Sequence, residues 1–388
     1  MLYPLTIASA QDLRREMLAI GVSVEGAKYM TDKLSANTLK ITELTGSCAI
    51  ILKEEALSAG AECALPREVI LAPRQKYSVL LFGTRRHFKK IQAKLKNQAF
   101  GELRTLAESL ARYCTEPKPK IPILMGILNV TPDSFSDGGQ HNASAPAIRQ
   151  TLRLWREGAR VIDIGGETTK PGAPEIPAAE ELCRTIPVIQ EILRRRPKTV
   201  ISIDTTKKAV ALAAVKAGAR IINDISGLTR EPLLAKIAAE HNAKLIIMHR
   251  SGNSRVMQQK TQYVDLLSDI LRFLEKSIAT ARQYGVPLQN IIVDPGIGFG
   301  KTAAQNLYLL KNLRALRCLG CAVLLGASRK SVIGDTLRRP VDQREFGTAA
   351  TSIAGLLGQV DYLRVHDVAA NLDAVKMFHA IWQSRHYV

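Results

Sequence analysis

Short apolar runs alternate with helical patterns from about residue 123 to the end of the chain. The apolar runs end near residues 130, 164, 204, 224, 248, 294, 326 and 365. The helical patterns cover residues 145–157, 180–195, 207–217, 231–241, 266–284, 306–313, 346–357 and 369–382. Eight strand–helix units in roughly 265 residues are typical of a (β/α)8 TIM barrel, whereas an open doubly wound sheet rarely has eight repeats. The predicted fold class is therefore α/β.

The first 117 residues follow a different pattern. They predict helices at residues 24–34, 49–60, 85–96 and 103–113 and strands at residues 38–44 and 77–82. The segment TEPKPKIP at residues 115–122 favours extended chain, because proline lacks a backbone donor and restricts the residue before it. We therefore predict a small α/β domain at residues 1–117, without an assigned role, and a barrel domain at residues 118–388.

The composition is that of an ordinary globular protein, with 46% hydrophobic and 23% charged residues. No apolar run reaches the roughly 20 residues that span a bilayer, and the N-terminus lacks the pattern of a secretory signal. Of six cysteines, only Cys318 and Cys321 form a CxxC, and no second pair or nearby histidine completes a zinc site. We expect Cys318 and Cys321 to be small buried residues beside a strand, and we expect reduced thiols, a cytoplasmic location and no membrane association.

The formal net charge of +19 is compatible with nucleic acid, an anionic membrane surface or anionic small substrates as partners. Only the helical pattern RRHFKKIQAKLK at residues 85–96 favours nucleic acid. There, however, Phe88, Ile91 and Leu95 form an apolar stripe, so the charges belong to a solvated outer face. No aromatic residues alternate with the charges as a platform for single strands requires, so we expect small-molecule substrates and no nucleic acid.

Polar side chains lie at or just beyond the ends of most predicted barrel strands. They are Asn129, Asp163, Asp204, Asn223, Asp294, Ser328, Lys330, Arg364 and His366. In a barrel these strand ends converge on one face, where active sites lie. Acids and amides there match the ring N–H groups of a flat heterocycle. Cations such as Lys170, together with an amide, suit a phosphate group that carries a magnesium ion.

Two segments resemble other kinds of site. Residues 294–302, DPGIGFGKT, resemble a P-loop, but Pro295 occupies the position of the first required glycine. Residues 326–331, GASRKS, place Ser328 two positions before Lys330, as in a serine–lysine nucleophile pair. Nothing else in the chain indicates acyl transfer, so we interpret Ser328 and Lys330 as binding groups.

The motifs MGILNVTPDSFSDGG, DIGGETTKPGA, IDT, IND, MH, DPGIGFGK, GASRKS and RVHDV occur in this order from residue 125 onward. Together they resemble the dihydropteroate synthases, and the resemblance extends from about residue 121 to the end of the chain. It implies a transferase of folate biosynthesis that condenses 6-hydroxymethyl-7,8-dihydropterin pyrophosphate with p-aminobenzoate, giving 7,8-dihydropteroate and pyrophosphate. It also implies a homodimer.

The resemblance implies a role for each matching residue. The pterin contacts are Asp204, Asn223, Met248, Asp294 and Lys330. The pyrophosphate contacts are Asn129, Thr169, Lys170, Arg364 and His366. The p-aminobenzoate contacts are Phe135, Thr169, Pro171, Phe299 and Ser328. Lys330, Asp204 and Asp294 carry catalysis, and Asn129 ligates Mg²⁺, the expected cofactor.

Two positions depart from the usual family pattern. Lys170 stands where the family usually has arginine, which keeps the charge but loses the bidentate fork. Arg250 follows the Met-His pair, where the family often has methionine or asparagine. The alternatives are a methyltetrahydrofolate–corrinoid methyltransferase, which shares the pterin contacts but needs no pyrophosphate grip, and a barrel that has lost catalysis and only binds a partner.

Overall fold

The computed structural model describes residues 14, 18, 22–27, 36–114, 120–131, 144–168, 175–251 and 261–383. The chain divides into two compact units, Met1–Lys118 and Pro119–Val388. The division falls inside the proline-rich segment at residues 115–122.

The first unit contains a three-stranded antiparallel sheet in the order β1-β3-β2. Its strands in the described ranges are β1 (Ala36–Thr45), β2 (Glu62–Ala64) and β3 (Lys76–Thr84), and its described helices of ten or more residues are α1 (Gly46–Ala59), α2 (Arg85–Leu95) and α3 (Gly101–Cys114). The sequence analysis missed β2, which is only three residues long and buries a single side chain, Cys63. The unit has its own hydrophobic core, to which all three helices contribute.

Helix α2 is the basic helix that the sequence predicts. Thr84 caps its N-terminus, because the Thr84 hydroxyl accepts a hydrogen bond from the His87 N–H at 3.3 Å. Phe88, Ile91 and Leu95 are buried, so the predicted apolar stripe is confirmed.

The second unit is a closed barrel of eight parallel strands, which confirms the predicted fold. Its strands are β4 (Ile123–Asn129), β5 (Val161–Gly165), β6 (Val200–Asp204), β7 (Ile221–Asp224), β8 (Lys244–Met248), β9 (Ile291–Asp294), β10 (Ala322–Leu325) and β11 (Tyr362–Val365). They pair in the order β10-β11-β4-β5-β6-β7-β8-β9, and β9 closes onto β10. The predicted strand ends agree with the observed ones to within one residue.

Eight helices of eight or more residues connect or follow the strands in the described part of the barrel. They are α4 (Ser144–Arg156), α5 (Ala178–Arg195), α6 (Lys208–Lys216), α7 (Leu233–Glu240), α8 (Leu266–Gln283), α9 (Ala303–Lys311), α11 (Glu345–Leu357) and α12 (Val368–Gln383). A further short helix, α10 (Ser331–Leu337), was not predicted. It has seven residues, too few for a helical period to stand out.

Alternation along the strands separates the barrel lumen from the helix layer, because successive side chains point to opposite faces. One apolar cluster fills the lumen and comprises Met125, Val161, Ile221, Ile246, Ile292, Leu324 and Tyr362. The residues between them, such as Leu124 and Ile162, belong to the larger core shared with the helices. Two positions beyond this lumen layer, the strands reach Asp163, Asn223 and Asp294, which places polar groups at the carboxyl end of the lumen.

The cysteines agree only partly with expectation. All six are free thiols, but Cys318, which was expected to be buried, is exposed. It lies in a 3₁₀ helix, Leu313–Leu319, whose buried side chains are Leu313 and Leu316. Cys321 is buried next to β10. In the part of the chain that the structure describes, no helix combines the length and apolar character needed to cross a bilayer.

Candidate active site

A branched hydrogen-bond network crosses the carboxyl end of the barrel. Arg364 donates from Nε to Asp163 Oδ2 at 2.6 Å and from Nη2 to Asp204 Oδ2 at 2.7 Å. Asn223 Nδ2 donates to the same Asp163 oxygen at 3.2 Å. The network therefore joins β11 to β5, β6 and β7 through one side chain from each strand.

The network places two carboxylates around one guanidinium in a buried setting. Asp163 is fully buried and Asp204 is 9% exposed. Burial raises the pKa of Asp204 to about 7; Arg364 opposes this shift and the Asp163 carboxylate adds to it. Within the described residues, Asp163 Oδ1 has no hydrogen-bond partner. The site therefore has spare acceptor capacity and a carboxyl group that titrates near neutral pH.

Asp294 ends β9 and begins a tight loop. Its Oδ1 accepts a hydrogen bond from the Gly296 N–H at 2.7 Å, and burial raises its pKa, while Lys330 opposes the shift. Gly296 has φ +67°, and a Cβ there would lie 1.9 Å from the carbonyl oxygen of His249. Only glycine fits this position, so the loop must turn back directly behind the Asp294 carboxylate.

Lys330 lies over the loop that follows β9. Its Nζ donates to the Ile297 carbonyl oxygen at 2.6 Å and lies 4.6 Å from the centroid of the Phe299 ring. Burial lowers the pKa of Lys330 to about 8, and Asp294 opposes the shift. Phe299 packs against Met248 and the partly buried Ile225 in a small apolar cluster separate from the main core. This cluster gives the site an apolar wall beside its polar groups.

The imidazole of His366 is held by Ser328. The Ser328 Oγ accepts a hydrogen bond from the His366 backbone N–H at 3.2 Å and lies 2.9 Å from His366 Nδ1. Burial, Arg364 and Arg329 lower the pKa of His366 to about 4, so the imidazole is neutral. In the tautomer with the ring proton on Nε2, Nδ1 accepts from the Ser328 hydroxyl and His366 is a neutral hydrogen-bond donor.

The loops after β10 and β11 are joined next to this pair. The Arg329 guanidinium makes a bidentate contact with Asp367, with Nη2 2.9 Å from both carboxylate oxygens. Arg329 has φ +58°, an unusual conformation for a bulky residue, and its backbone N–H donates to Thr348 Oγ1 at 3.1 Å. Ser328 directly precedes Arg329, and His366 directly precedes Asp367. The contact between Arg329 and Asp367 therefore fixes the position of Ser328 relative to His366.

Asn129 lies at the end of β4 on the same rim. A Cβ built on Gly165 would lie 3.7 Å from both Asn129 Oδ1 and Asp204 Cβ, so these two side chains flank Gly165. Similarly, a Cβ on Gly326 would lie 3.5 Å from Asp294 Oδ2 and 3.9 Å from Arg364 Cβ. The groups contributed by β4, β6, β9 and β11 therefore share one rim of the barrel.

The structure brings together most of the residues predicted for the site. Those on the common rim or its apolar wall are Asn129, Asp204, Asn223, Met248, Asp294, Phe299, Lys330 and Arg364, with the pair Ser328 and His366 beside them. Four further predicted residues lie outside the described residues: Phe135, Thr169, Lys170 and Pro171.

The sequence analysis gave no role to several groups that matter. Asp163 stood among the strand-end residues without a role; it lies two residues before the end of β5 and pairs in register with Ser202, while Gly165 pairs with Asp204. The Arg329–Asp367 pair was missed, and its only sequence signal is that each residue adjoins a predicted contact. Asp224, next to Asn223, has a structural role, because its carboxylate accepts hydrogen bonds from the Ser226 N–H at 2.8 Å and the Leu228 N–H at 2.6 Å.

A magnesium ion fits this rim only if water and substrate oxygens supply most of its ligands. In the described ranges no three His, Cys, Asp or Glu side chains cluster as a metal site. Asn129 is exposed and offers one amide oxygen. Mg²⁺ commonly binds through one or two protein ligands together with water and substrate phosphate oxygens, so the rim is compatible with an ion that arrives on a phosphorylated substrate.

Comparison with known proteins agrees with this geometry. The family model described as "Pterin binding enzyme" matches residues 125–366. A dihydropteroate synthase of Synechocystis is 48% identical over 286 residues, which are 71% of this chain and 99% of that protein. The crystal structure of dihydropteroate synthase from Clostridium difficile with pteroic acid has a TM-score of 0.64 and 42% identity, and the match covers 70% of this chain and all of that one.

One relative also covers the first unit. A probable bifunctional folylpolyglutamate synthase/dihydropteroate synthase of Haloferax volcanii is 33% identical over 397 residues. This match covers 96% of the present chain and 47% of that protein. The N-terminal unit thus has a counterpart within that longer protein. The matches to the barrel show that the chain belongs to the pterin-binding enzymes and, within them, to the dihydropteroate synthases.

Proposed function

We propose that this chain condenses 6-hydroxymethyl-7,8-dihydropterin pyrophosphate with p-aminobenzoate, releasing pyrophosphate and 7,8-dihydropteroate for folate synthesis. The observation that carries the proposal is one rim on which buried acids and an amide border an apolar wall of Met248 and Phe299. Such a rim suits a flat, polar-edged heterocycle, because the wall covers a ring face and the polar groups pair with the ring edge.

The pterin is held by the acids and the amide. Asp204, Asn223 and Asp294 face the ring edge, and Lys330 lies between Asp294 and the Phe299 ring. Asp163 and Arg364 hold Asp204 and Asn223 in place. The acids also stabilise the positive charge that the pterin gains when its bond to the pyrophosphate breaks.

The pyrophosphate leaves past Asn129 and His366. The neutral His366 donates from Nε2 toward the departing oxygens, and Lys170 adds positive charge in this proposal. Arg364 acts chiefly by orienting carboxylates, because its Nε and Nη2 already donate to Asp163 and Asp204. Asn129 is the group that would hold Mg²⁺, which when bound neutralises charge on the leaving pyrophosphate.

The p-aminobenzoate lies on the outer side of the pterin, against Phe299. Phe135, Thr169 and Pro171 complete its pocket in this proposal. Ser328 acts through His366, because its hydroxyl is engaged by the imidazole and the backbone N–H of that residue. This contact favours a positioning role over the direct one expected from sequence.

The reaction needs little acid–base chemistry from the protein. The C–O bond to the pyrophosphate breaks, its electron pair leaves on oxygen, and the amine nitrogen of p-aminobenzoate then bonds to the pterin methylene carbon. The amine proton passes to solvent or to the released pyrophosphate. Since an aniline nitrogen is already a nucleophile, the residues contribute mainly position and electrostatic stabilisation.

A homodimer is part of the proposal. The last four helices of the barrel, α9 to α12, expose large apolar residues: Leu307, Tyr308, Leu337, Phe346, Leu357, Met377 and Ile381. Phe346 is 88% exposed, which is unusual for so large an apolar side chain unless a partner covers it. The cytoplasmic location stays a prediction, supported by six thiols that form no disulfide.

A pyrophosphate-release assay tests the function. The complete reaction with pterin pyrophosphate, p-aminobenzoate and Mg²⁺ is compared with reactions that each omit one substrate. We expect release only when both substrates are present, with dihydropteroate formed in equal amount. Binding of the pterin without release would favour a binding protein, and methyl transfer from methyltetrahydrofolate to a corrinoid would favour the methyltransferase alternative.

A further inference from the structure

Lys301 is buried among acceptors and has no role in the proposed reaction. The residue is 3% exposed and lies directly after the loop Asp294–Gly300. Its Nζ is 2.9 Å from the Gly296 carbonyl oxygen, 3.0 Å from the Phe299 carbonyl oxygen and 3.0 Å from His249 Nδ1. Three acceptors therefore surround the three N–H donors of one ammonium group.

The pair of Lys301 and His249 has a defined protonation pattern. Burial and the neighbouring Lys301 lower the pKa of His249 to about 2, so the imidazole is neutral and Nδ1 accepts from the ammonium. Burial lowers the pKa of Lys301 to about 7, and Asp294 opposes the shift. The ring of His249 also packs edge-on against Phe273, with centroids 4.9 Å apart. Lys301 is therefore anchored to a rigid group at the end of β8.

The loop that Lys301 holds carries three elements of the pterin site. Gly296 supplies the N–H that binds Asp294 Oδ1 at 2.7 Å, Ile297 supplies the carbonyl that binds Lys330 Nζ, and Phe299 supplies the ring beneath that ammonium. Lys301 binds the carbonyl groups of the first and the last of these residues. A shift of the loop would displace Asp294 and Lys330 together.

We propose that Lys301 is a positioning residue for the pterin site, which fixes the loop after β9 to His249 and thereby sets the place of Lys330 and Phe299. The lysine of the P-loop-like segment thus serves the loop itself and not a bound phosphate, because all three of its donors are used inside the protein. The kinetic consequence rests on the proposed function, but the geometric consequence for Lys330 does not.

The test compares Lys301→Met, which keeps the length and removes the donors, with Lys311→Met, an exposed lysine on α9. In the full chain without substrates, we measure the acetylation rate of Lys330 by trace labelling with acetic anhydride and mass spectrometry. Lys301→Met should raise this rate severalfold, and Lys311→Met should leave it unchanged. An unchanged rate in Lys301→Met, in a protein with native circular dichroism, would overturn the proposal.

Turnover supplies a second readout. A misplacement of about 1 Å can cost about 100-fold in rate, so Lys301→Met should lower kcat by about 10- to 100-fold. It should raise KM for the pterin pyrophosphate about tenfold and change KM for p-aminobenzoate less than about twofold. Equal effects on both KM values would indicate general loosening and contradict a specific effect on the pterin side. Failure of the unaltered chain to release pyrophosphate would refute the proposed function and leave the labelling test intact.

A pair of variants at His249 keeps the test decisive if Lys301→Met does not fold. His249→Asn retains an acceptor near the Nδ1 position, whereas His249→Leu removes it. We expect His249→Leu to raise the labelling of Lys330 and the KM for the pterin pyrophosphate, and His249→Asn to restore both most of the way. Equal behaviour of the two variants would show that the bond to Lys301 is not what positions the loop.

Discussion

Arg364 donates a hydrogen bond from Nη2 to Asp204 Oδ2 at 2.7 Å across the lumen of the barrel, between residues 160 positions apart in sequence. The same guanidinium holds Asp163 through Nε. A single cation therefore keeps two buried carboxylates apart and sets the direction in which each faces the site. Removing the arginine would leave two acids in one low-dielectric space, where both cannot remain charged.

Replacement of Arg364 by lysine should separate charge from geometry. Lysine keeps the positive charge but cannot bridge both carboxylates, so we expect turnover to fall by about 100-fold. The free energy of unfolding, measured in urea, should fall by about 3 kcal/mol, as for a broken buried ion pair. Arg153→Lys is the matched control, because Arg153 pairs with Glu157 at the surface and should change little. Equal stability of the two variants would contradict the role of the network.

Lys330→Ala should abolish most product formation while the fold is retained. The variant loses the contact with the Ile297 carbonyl and the cation beside Asp294, and a loss of about 100-fold or more is expected from the removal of such a group. Circular dichroism and pyrophosphate release measure the two properties separately. Lys236→Ala, at an exposed lysine of α7, should behave like the unaltered chain. Near-normal turnover in Lys330→Ala would refute the assignment.

Ser328→Ala should change the tautomer of His366. Without the hydroxyl donor, Nδ1 can carry the ring proton and Nε2 then loses its donor character. We expect kcat to fall about tenfold, less than the roughly 100- to 10,000-fold contribution of a general acid–base group, because the imidazole itself is retained. Nitrogen NMR of the labelled imidazole reports the tautomer directly, and Ser328→Thr, which keeps the hydroxyl, should preserve it. An Nε2–H signal that persists in Ser328→Ala would contradict the interpretation.

Stability should depend on pH through His366. The pKa of His366 is about 4 in the folded chain and 6.5 in the unfolded chain. Between these pH values the unfolded chain therefore binds more protons than the folded chain. The free energy of unfolding should therefore decrease as the pH falls from 6.5 to 4, by up to about 3 kcal/mol. His366→Asn should remove this contribution, and urea unfolding at pH 7.5 and pH 4.5 measures the difference. Asp204 contributes with the opposite sign over the same range, so only the difference between variants isolates His366.

Removal of residues 1–118 should leave a folded barrel. The first unit has a separate hydrophobic core, and the barrel closes through its own strands β10, β11 and β4. We expect the shortened chain to retain native circular dichroism and at least half of its pyrophosphate release. Aggregation or loss of activity would show that the barrel depends on the first unit.

Much of the fold follows from local pattern. Parallel strands buried on both faces appear as continuous apolar runs, so their ends could be predicted to within one residue, as at Asp204 and Met248. Short elements could not be predicted, because three residues in β2 or seven in α10 contain too little periodicity.

The sequence predicted which residues belong to the site better than it predicted which of them bond to each other. Asn223 and Asp224 are adjacent and equally polar, yet only the asparagine joins the network in the lumen, while the aspartate binds the backbone of its own loop. The sequence argued against a P-loop at residues 294–302 but gave Lys301 no role, and the structure shows its ammonium bonded inside the protein. In both cases the outcome depends on which acceptors the neighbouring loops supply.

The sequence by itself determined which polar residues stand at the strand ends, because strand periodicity and loop chemistry are local properties of the chain. Only the tertiary structure decided which of them pair, such as Arg364 with Asp163 and Asp204. The physical reason is barrel closure: it fixes the register of neighbouring strands and brings together side chains separated by 160 or more residues, whose distances no local pattern encodes.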